Sequence, residues 1–317
     1  MHSVDSNYNI IPENETKKTI TIGLPVYNDR LFLEESINSI LHQTHKDFKL
    51  IIGDDHSTDG SNEICERVIA TDGRVTYFRH KINIGISRNM EFLLSKADTE
   101  YFMWAGDDDL IADSYVEKMI AALEKNPNAI VAFSTFAHID DDGNCISDKL
   151  NYDYSDNNTR KRVRNFIKNA HDEFGYAVFR TEKIRDVRFP VWHWPNSKCA
   201  YNNIYPSLLY YLSKGDYSHV YDEPLFLKRV KSPANTHHQT TYQSNGILES
   251  FAFYIRRLNL IHFSIKMMCI AKSRSFALSF YPLLWWYWFV IPSLQQTKLL
   301  LKAVLIKIKS TFIKKKQ

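Results

Sequence analysis

Five short apolar runs, rich in β-branched and aromatic residues, alternate with four segments of helical period between residues 19 and 136. Few folds accommodate that order. Parallel neighbours in a sheet need a crossover of a dozen or more residues, and a helix is the compact way to make one. The runs are TITIGLPV (19–26), FKLIIG (48–53), VTYF (75–78), YFMWA (101–105) and AIVAFSTF (129–136). Between them, residues 31–41 carry apolar side chains at 33, 37, 40 and 41, and residues 58–70, 86–97 and 114–125 also suit helices. The expectation is an α/β domain with a mainly parallel sheet and helices on both faces.

In such sheets ligands bind beyond the carboxyl ends of the strands. The polar clusters of this chain fall there: Tyr27-Asn28, Asp54-Asp55 and Asp107-Asp108-Asp109. Adjacent carboxylates on a turn repel one another unless a cation or a proton intervenes. A hard divalent ion such as Mg²⁺ or Mn²⁺ takes oxygen ligands and commonly shares them with substrate phosphates. A helix N-cap or turn is the plainer account of any single Asp in the triplet. At Asp54-Asp55, one carboxylate can accept the imide N–H of uracil or thymine or bind ribose hydroxyls, while the other serves a turn.

Taken in order, LPVYND, IIGDDHSTDGS, NIGISRN and WAGDDD resemble the nucleotide-binding half of family 2 glycosyltransferases with the GT-A fold. The resemblance is strong over residues 19–137 and continues weakly to about 230. It implies a GT-A-like, Rossmann-type mixed sheet, with residues 18–140 as the nucleotide half and 141–245 as the acceptor half. It implies that Pro25, Tyr27 and Asn28 line the base and ribose pocket, that Asp54 or Asp55 holds the base, and that Arg88 and Arg229 lie near the diphosphate. Asp107, Asp108 and Asp109 correspond to the metal-binding DxD region. The implied reaction is inverting transfer of a sugar from a UDP- or dTDP-sugar with Mn²⁺ or Mg²⁺. Where the family carries its catalytic Asp, this chain has Asn203, and an amide is not a useful base. Asp172 and Glu173 are the nearest upstream carboxylates, with His193 and Asp216 as weaker options. His237-His238 fall in a loop that could close over the donor.

The rest of the chain bounds its surroundings. Residues 1–17 lack the apolar stretch of a secretory signal and are expected to be a flexible lead-in. Residues 140–170 look loop-like. Cys65, Cys145, Cys199 and Cys269 form no CxxC pair, which suits a reducing compartment. All 36 acidic residues lie at or before Glu249, whereas 12 of the 40 basic ones follow it. Residues 275–297 carry no charge and include Trp285, Trp286, Tyr287 and Trp288, and seven Lys follow in 298–317. Bunched aromatics beside a basic apolar stretch suit an in-plane membrane helix better than a nucleic-acid platform. Residues 246–317 are therefore expected to form hydrophobic and amphipathic helices that hold the protein peripherally, through 275–317, on the cytoplasmic face of the inner membrane, with a hydrophobic helix pair docked on the core as the plainer alternative. The acceptor is then expected to be a lipid-linked glycan of a bacterial surface polysaccharide, with oligomerisation through the apolar tail also open. Two other functions stay in view. One is a nucleotide-sugar-binding or scaffold protein without turnover, which Asn203 allows. The other is a nucleotidyl-transfer enzyme, which would want a Gly-rich phosphate loop after the first strand that LPVYNDRL lacks.

Overall fold

A computed structural model describes residues 19–190, 192–193, 200–201, 204–235 and 247–294. The strands are β1 Ile20–Val26, β2 Phe48–Asp54, β3 Val75–Arg79, β4 Tyr101–Trp104, β5 Leu110–Ile111, β6 Ala129–Ser134, β7 Phe136–Ile139, β8 Val178–Arg180, β9 Trp192–His193, β10 Ala200–Tyr201, β11 Asp216–Val220 and β12 Phe226–Arg229. The helices are α1 Arg30–Leu41, α2 Ser61–Thr71, α3 Ile86–Lys96, α4 Tyr115–Lys125, α5 Thr159–Lys168, α6 Thr181–Ile184, α7 Tyr205–Lys214, α8 Ile247–Ala271, α9 Arg274–Leu278 and α10 Tyr281–Leu284. A π-helical turn, Trp285–Val290, continues α10.

Seven strands make one sheet in the order β11-β6-β8-β4-β1-β2-β3. All neighbours run parallel except β8, which is antiparallel to both β4 and β6. The expected α/β architecture is thus present. Strands β1, β4 and β6 are mostly apolar and buried along nearly their whole length because both faces are covered. The sheet order moves one way from β1 to β3 and then returns to β4. Right-handed crossovers therefore put α1 and α2 on one face and α3 on the other.

Pro25 stands inside a central strand, where a missing N–H normally costs a ladder bond. The register removes that cost. The Gly23 carbonyl accepts Ala105 N–H (3.0 Å) and the Val26 carbonyl accepts Asp55 N–H (2.8 Å), so the residues facing β4 are 19, 21, 23 and 25. Strand β4 has ended at Trp104, opposite Gly23, so Pro25 has no strand beside it to bond.

The second sheet, β5-β12-β7, is small but decides the position of the site. Strand β12 pairs antiparallel with β5, just after the aspartate triplet, and parallel with β7.

Residues 140–170 are not all loop. Helix α5 forms there, buried through Arg162, Val163, Phe166 and Ile167, with the Asn158 side chain capping the N–H groups of Arg160 and Lys161. Its basic composition hid it, because one core position is an arginine. Arg162 is 1% exposed, and its five N–H groups meet five acceptors. These are Leu212 O at 3.0 Å, Asp156 O at 2.5 Å, Asp216 Oδ1 at 3.2 Å, Gly215 O at 2.8 Å and Thr159 Oγ1 at 3.4 Å.

The C-terminal helices share the core of the sheet domain. Leu260, Ile261, Met267, Met268, Phe280 and Leu284 belong to the same buried cluster as the strands. Trp288 Nε1 donates to Ile167 O of α5 at 2.9 Å. A boundary at residue 246 therefore does not separate two cores. No described helix is long and apolar enough to cross a membrane. The basic stretch from residue 298 lies outside the described residues.

Replacing Arg162 by Met should cost on the order of 3 kcal/mol, because several buried carbonyls and Asp216 lose their partner together. Urea unfolding followed by circular dichroism would show this as a lower midpoint, and an unchanged midpoint would contradict it.

Candidate active site at the carboxyl edge of the sheet

Strand β1 delivers Tyr27, Asn28 and Asp29 to the carboxyl edge. Asn28 has φ of 53°, a left-handed conformation that asparagine tolerates. Its N–H donates to Ser57 Oγ (3.1 Å) and its Oδ1 accepts Thr58 N–H (2.7 Å), so it staples the loop after β2 to the end of β1. The Asp54 carboxylate is wholly buried. It accepts Ser57 N–H (2.8 Å) and the Tyr77 hydroxyl (2.7 Å), with Arg79 Nε at 3.4 Å. Asp55 is also buried and accepts Ile84 N–H (2.6 Å) and Gly85 N–H (2.8 Å). Both oxygens of each carboxylate are engaged within the fold. Arg88 is exposed on the first turn of α3. Its neighbour Asn89 is buried, with Nδ2 donating to Gly53 O at 2.6 Å.

The aspartate triplet divides. One carboxylate oxygen from each of Asp29, Asp107 and Asp108 lies within 4.8 Å of the others. Asp107 Oδ2 also accepts Tyr27 N–H (3.2 Å). Asp29 occupies the N-cap position of α1 but does not cap it with its side chain. The Lys231 ammonium contacts Asp108 Oδ2 at 2.7 Å and also bonds Asp29 Oδ2. Asp109 points elsewhere: its Oδ1 accepts Arg229 N–H at 2.9 Å. Gly106 leaves the room for this, since a Cβ there would stand 2.4 Å from Asp109 Oδ2. Burial raises Asp107 and Asp109 well above the usual carboxylate range, and the charge of Asp108 adds to it. Asp109 is therefore a wall of the site, not part of the carboxylate cluster expected of the whole triplet.

Arg229 is also a wall. Its guanidinium donates to Asp108 O (2.8 Å), Asp140 O (2.9 Å), Asp141 O (2.8 Å) and Glu35 Oε2 (2.7 Å), and it lies over the Phe32 ring. The side chain is fully buried. The place near a diphosphate expected for Arg229 is thus filled by neither its charge nor its surface. Among the described residues, the cation that reaches the carboxylates is Lys231, two residues on.

Antiparallel β8 brings a further acid to this edge. Because β8 runs against β4 and β6, the residues before it lie beyond the carboxyl ends of those strands. These residues form a 3₁₀ turn, Glu173–Tyr176, whose last carbonyl accepts the Tyr115 hydroxyl (3.0 Å). Glu173 is 7% exposed, with Oε1 at 3.7 Å from both Lys228 Nζ and His138 Nε2. Its Oε2 is buried and has no hydrogen-bond partner among the described residues. Asp172 is more open and pairs with Lys228 at 3.0 Å. Burial opposes the Lys228 charge, yet Asp172, Glu173 and Asp109 hold its ammonium above the ordinary lysine range. Asp216 is committed to Arg162. Asn203 and His237-His238 lie outside the described residues, and His193 lies in β9, remote in sequence from these strand ends.

Sequence reasoning missed Asp29 and Lys231. Asp29 was visible as the last residue of LPVYND, directly after two expected pocket residues. Lys231 carried no local signal, since only the β12–β5 pairing brings it to the triplet.

Comparison with known proteins agrees with this fold. The pattern of the family described as glycosyl transferase family 2 matches residues 21–188. A glycosyltransferase of Haemophilus influenzae is 34% identical over 138 residues, covering 42% of this chain and 55% of that protein. The GalNAc(5)-diNAcBac-PP-undecaprenol β-1,3-glucosyltransferase of Campylobacter jejuni is 23% identical over 203 residues, covering 62% of each. The chain thus spans about half to three fifths of these relatives. The fold matches S. aureus TarS 1–349 in complex with UDP-GlcNAc, with a TM-score of 0.59, 15% identity, and coverage of 82% of this chain and 69% of that one. It also matches the Pyrobaculum calidifontis mannosyltransferase in complex with GDP-Man and Mn²⁺, at a TM-score of 0.50, 17% identity, and coverage of 84% and 67%.

The three aspartates should separate in a Mn²⁺ titration. Asp107→Asn and Asp108→Asn should each weaken binding by at least about tenfold, whereas Asp109→Asn, whose amide oxygen still accepts the Arg229 N–H, should change it less than about threefold.

Proposed function

Since the chain belongs to glycosyl transferase family 2, we propose that it moves a sugar from a UDP- or dTDP-sugar to a hydroxyl of a lipid-linked glycan, in the building of a bacterial surface polysaccharide. The observation that carries this reading is the meeting of Asp29, Asp107 and Asp108 at the carboxyl edge of the sheet, the edge to which antiparallel β8 also brings Glu173. The nature of the TarS and mannosyltransferase ligands supports a nucleotide-sugar donor, and the name of the Campylobacter relative supports a polyprenyl-linked acceptor.

The donor set fits Mn²⁺ or Mg²⁺. It is all oxygen, it is anionic, and its atoms are close enough to share one ion. Such a cation, when bound, offsets the charge that gathers on the leaving diphosphate. Pro25, Tyr27 and Asn28 border the base and ribose on the β1 side. In the transfer, the bond from the anomeric carbon to the diphosphate oxygen breaks as the acceptor oxygen bonds the opposite face of that carbon. The acceptor proton needs a base. Glu173 suits the role better than Asp172, because among the described residues one of its oxygens is held by no hydrogen bond while its other oxygen faces Lys228 and His138. The nucleoside diphosphate leaves as the second product.

Calorimetry with UDP, dTDP and GDP should show uridine or thymidine diphosphate binding that requires Mn²⁺ and is lost in Asp108→Asn. Glu173→Gln should keep that binding and lose roughly 10²- to 10⁴-fold in transfer to a polyprenyl-diphosphate-linked acceptor, with Asp172→Asn losing less than about tenfold. Full transfer by Glu173→Gln would move the base to another residue. Nucleotide binding without turnover in any assay would favour a binding protein.

The outer side of the C-terminal helices supports a peripheral place on the inner membrane. Ile255, Leu258, Ile270, Leu278, Tyr281 and Trp286 are exposed there, and no acidic residue follows Glu249. Because these helices share the core, deletion is a poor test. The full chain carrying Leu278→Ser, Tyr281→Ser and Trp286→Ser should bind phosphatidylglycerol vesicles at least about tenfold more weakly than the parent in flotation assays. Equal flotation would remove this face from the membrane contact.

A further inference from the structure

Three basic residues at the end of β12 have three different duties. Arg229 is buried among carbonyls. Lys228 faces Asp172 and Glu173. Lys231 alone of the three reaches into the Asp29–Asp108 cluster. Its ammonium lies over the Phe32 ring, 5.4 Å from the ring centre, and its side chain remains 17% exposed.

The ammonium already bridges two of the three carboxylates that a divalent ion would want. With metal–oxygen distances of about 2.0 to 2.6 Å, an ion using the two oxygens that it contacts would come within about 3 Å of the lysine nitrogen. Like charges that close are strongly repulsive, even where solvent screens them in part. The two cations therefore exclude one another. Lysine suits a part that must move, because its charge sits on a flexible four-carbon stem with rotatable donors, unlike the fixed fork of Arg229.

We propose that Lys231 is a resident counter-ion of Asp29 and Asp108, that a divalent cation displaces it, and that the released ammonium then binds the donor diphosphate. This rests on reading Asp29, Asp107 and Asp108 as the cation site. Without donor, the cation has to evict a charge that gains nothing by leaving. With donor present, the evicted ammonium finds a new anion. Cation and nucleotide should therefore bind with positive coupling, each raising the affinity of the other by the same factor.

The test is calorimetric titration of the full chain with Mn²⁺ alone, then with UDP at saturating Mn²⁺. Lys231→Met and Lys231→Gln are compared with the parent, with circular dichroism confirming that at least one variant is folded. Either variant should bind Mn²⁺ alone at least about tenfold more tightly and bind UDP about tenfold more weakly, so that the coupling seen in the parent collapses. If the parent binds Mn²⁺ and the folded variant binds it no more tightly, displacement is wrong while the cation site stands. If neither binds Mn²⁺, the cation-site reading falls, and displacement with it.

Discussion

Four carboxylates crowd one edge of the sheet, and the end of strand β12 is what makes that tolerable. Asp29, Asp107, Asp108 and Asp109 come from two strand ends that the sheet order sets side by side. Left alone they would repel and draw water into the core edge. Arg229 takes the Asp108 carbonyl through its side chain and the Asp109 carboxylate through its backbone N–H. Lys231 spans Asp29 and Asp108. The pairing of β12 with β5 and β7 holds this arrangement, so residues about 120 apart in sequence settle one another's charge. The same contacts tie the 140–141 turn and Glu35 of α1 to the site through one guanidinium.

The strands and helices of residues 19–134, the two-residue β5 apart, were legible because each obeys its period. The apolar strands are buried on both faces, and the helices bury the positions that their repeat picks out, such as Leu33, Ile37 and Ile40 in α1. The edge on which Tyr27, Asn28 and the aspartates fall was legible for the same reason. Which aspartate points where was not. Asp109 turns away because Gly106 leaves a hollow and Arg229 offers an N–H, and neither fact is local to the triplet. Helix α5 was missed because a fully buried arginine breaks the apolar pattern by which helices are found. Arg229, expected to face a ligand, is bound to the protein itself for the same kind of reason: the fold supplies carbonyls that the sequence does not announce.

The C-terminal segment mixes two demands on apolar side chains. Leu260, Met267, Phe276 and Trp288 close the core beside α5 and α7, while Trp286, Tyr281 and Leu278 remain outside. One stretch of uncharged sequence therefore serves as packing on one side and as open surface on the other. Hydropathy alone could not apportion it, since both sides have the same composition.

Strand β8 has one more effect. Among the described residues it is the only bridge between β4 and β6, and β11 is the only other sheet neighbour of β6. Both partners of β6 arise after residue 177, so a nascent polypeptide that has emerged only to about residue 150 carries β6 with nothing to pair it. The sheet cannot be completed on the ribosome until residue 220 is out. The motif-bearing stretch 19–137 thus stops short of β8, and excised alone it would leave two raw edges where β8 belongs.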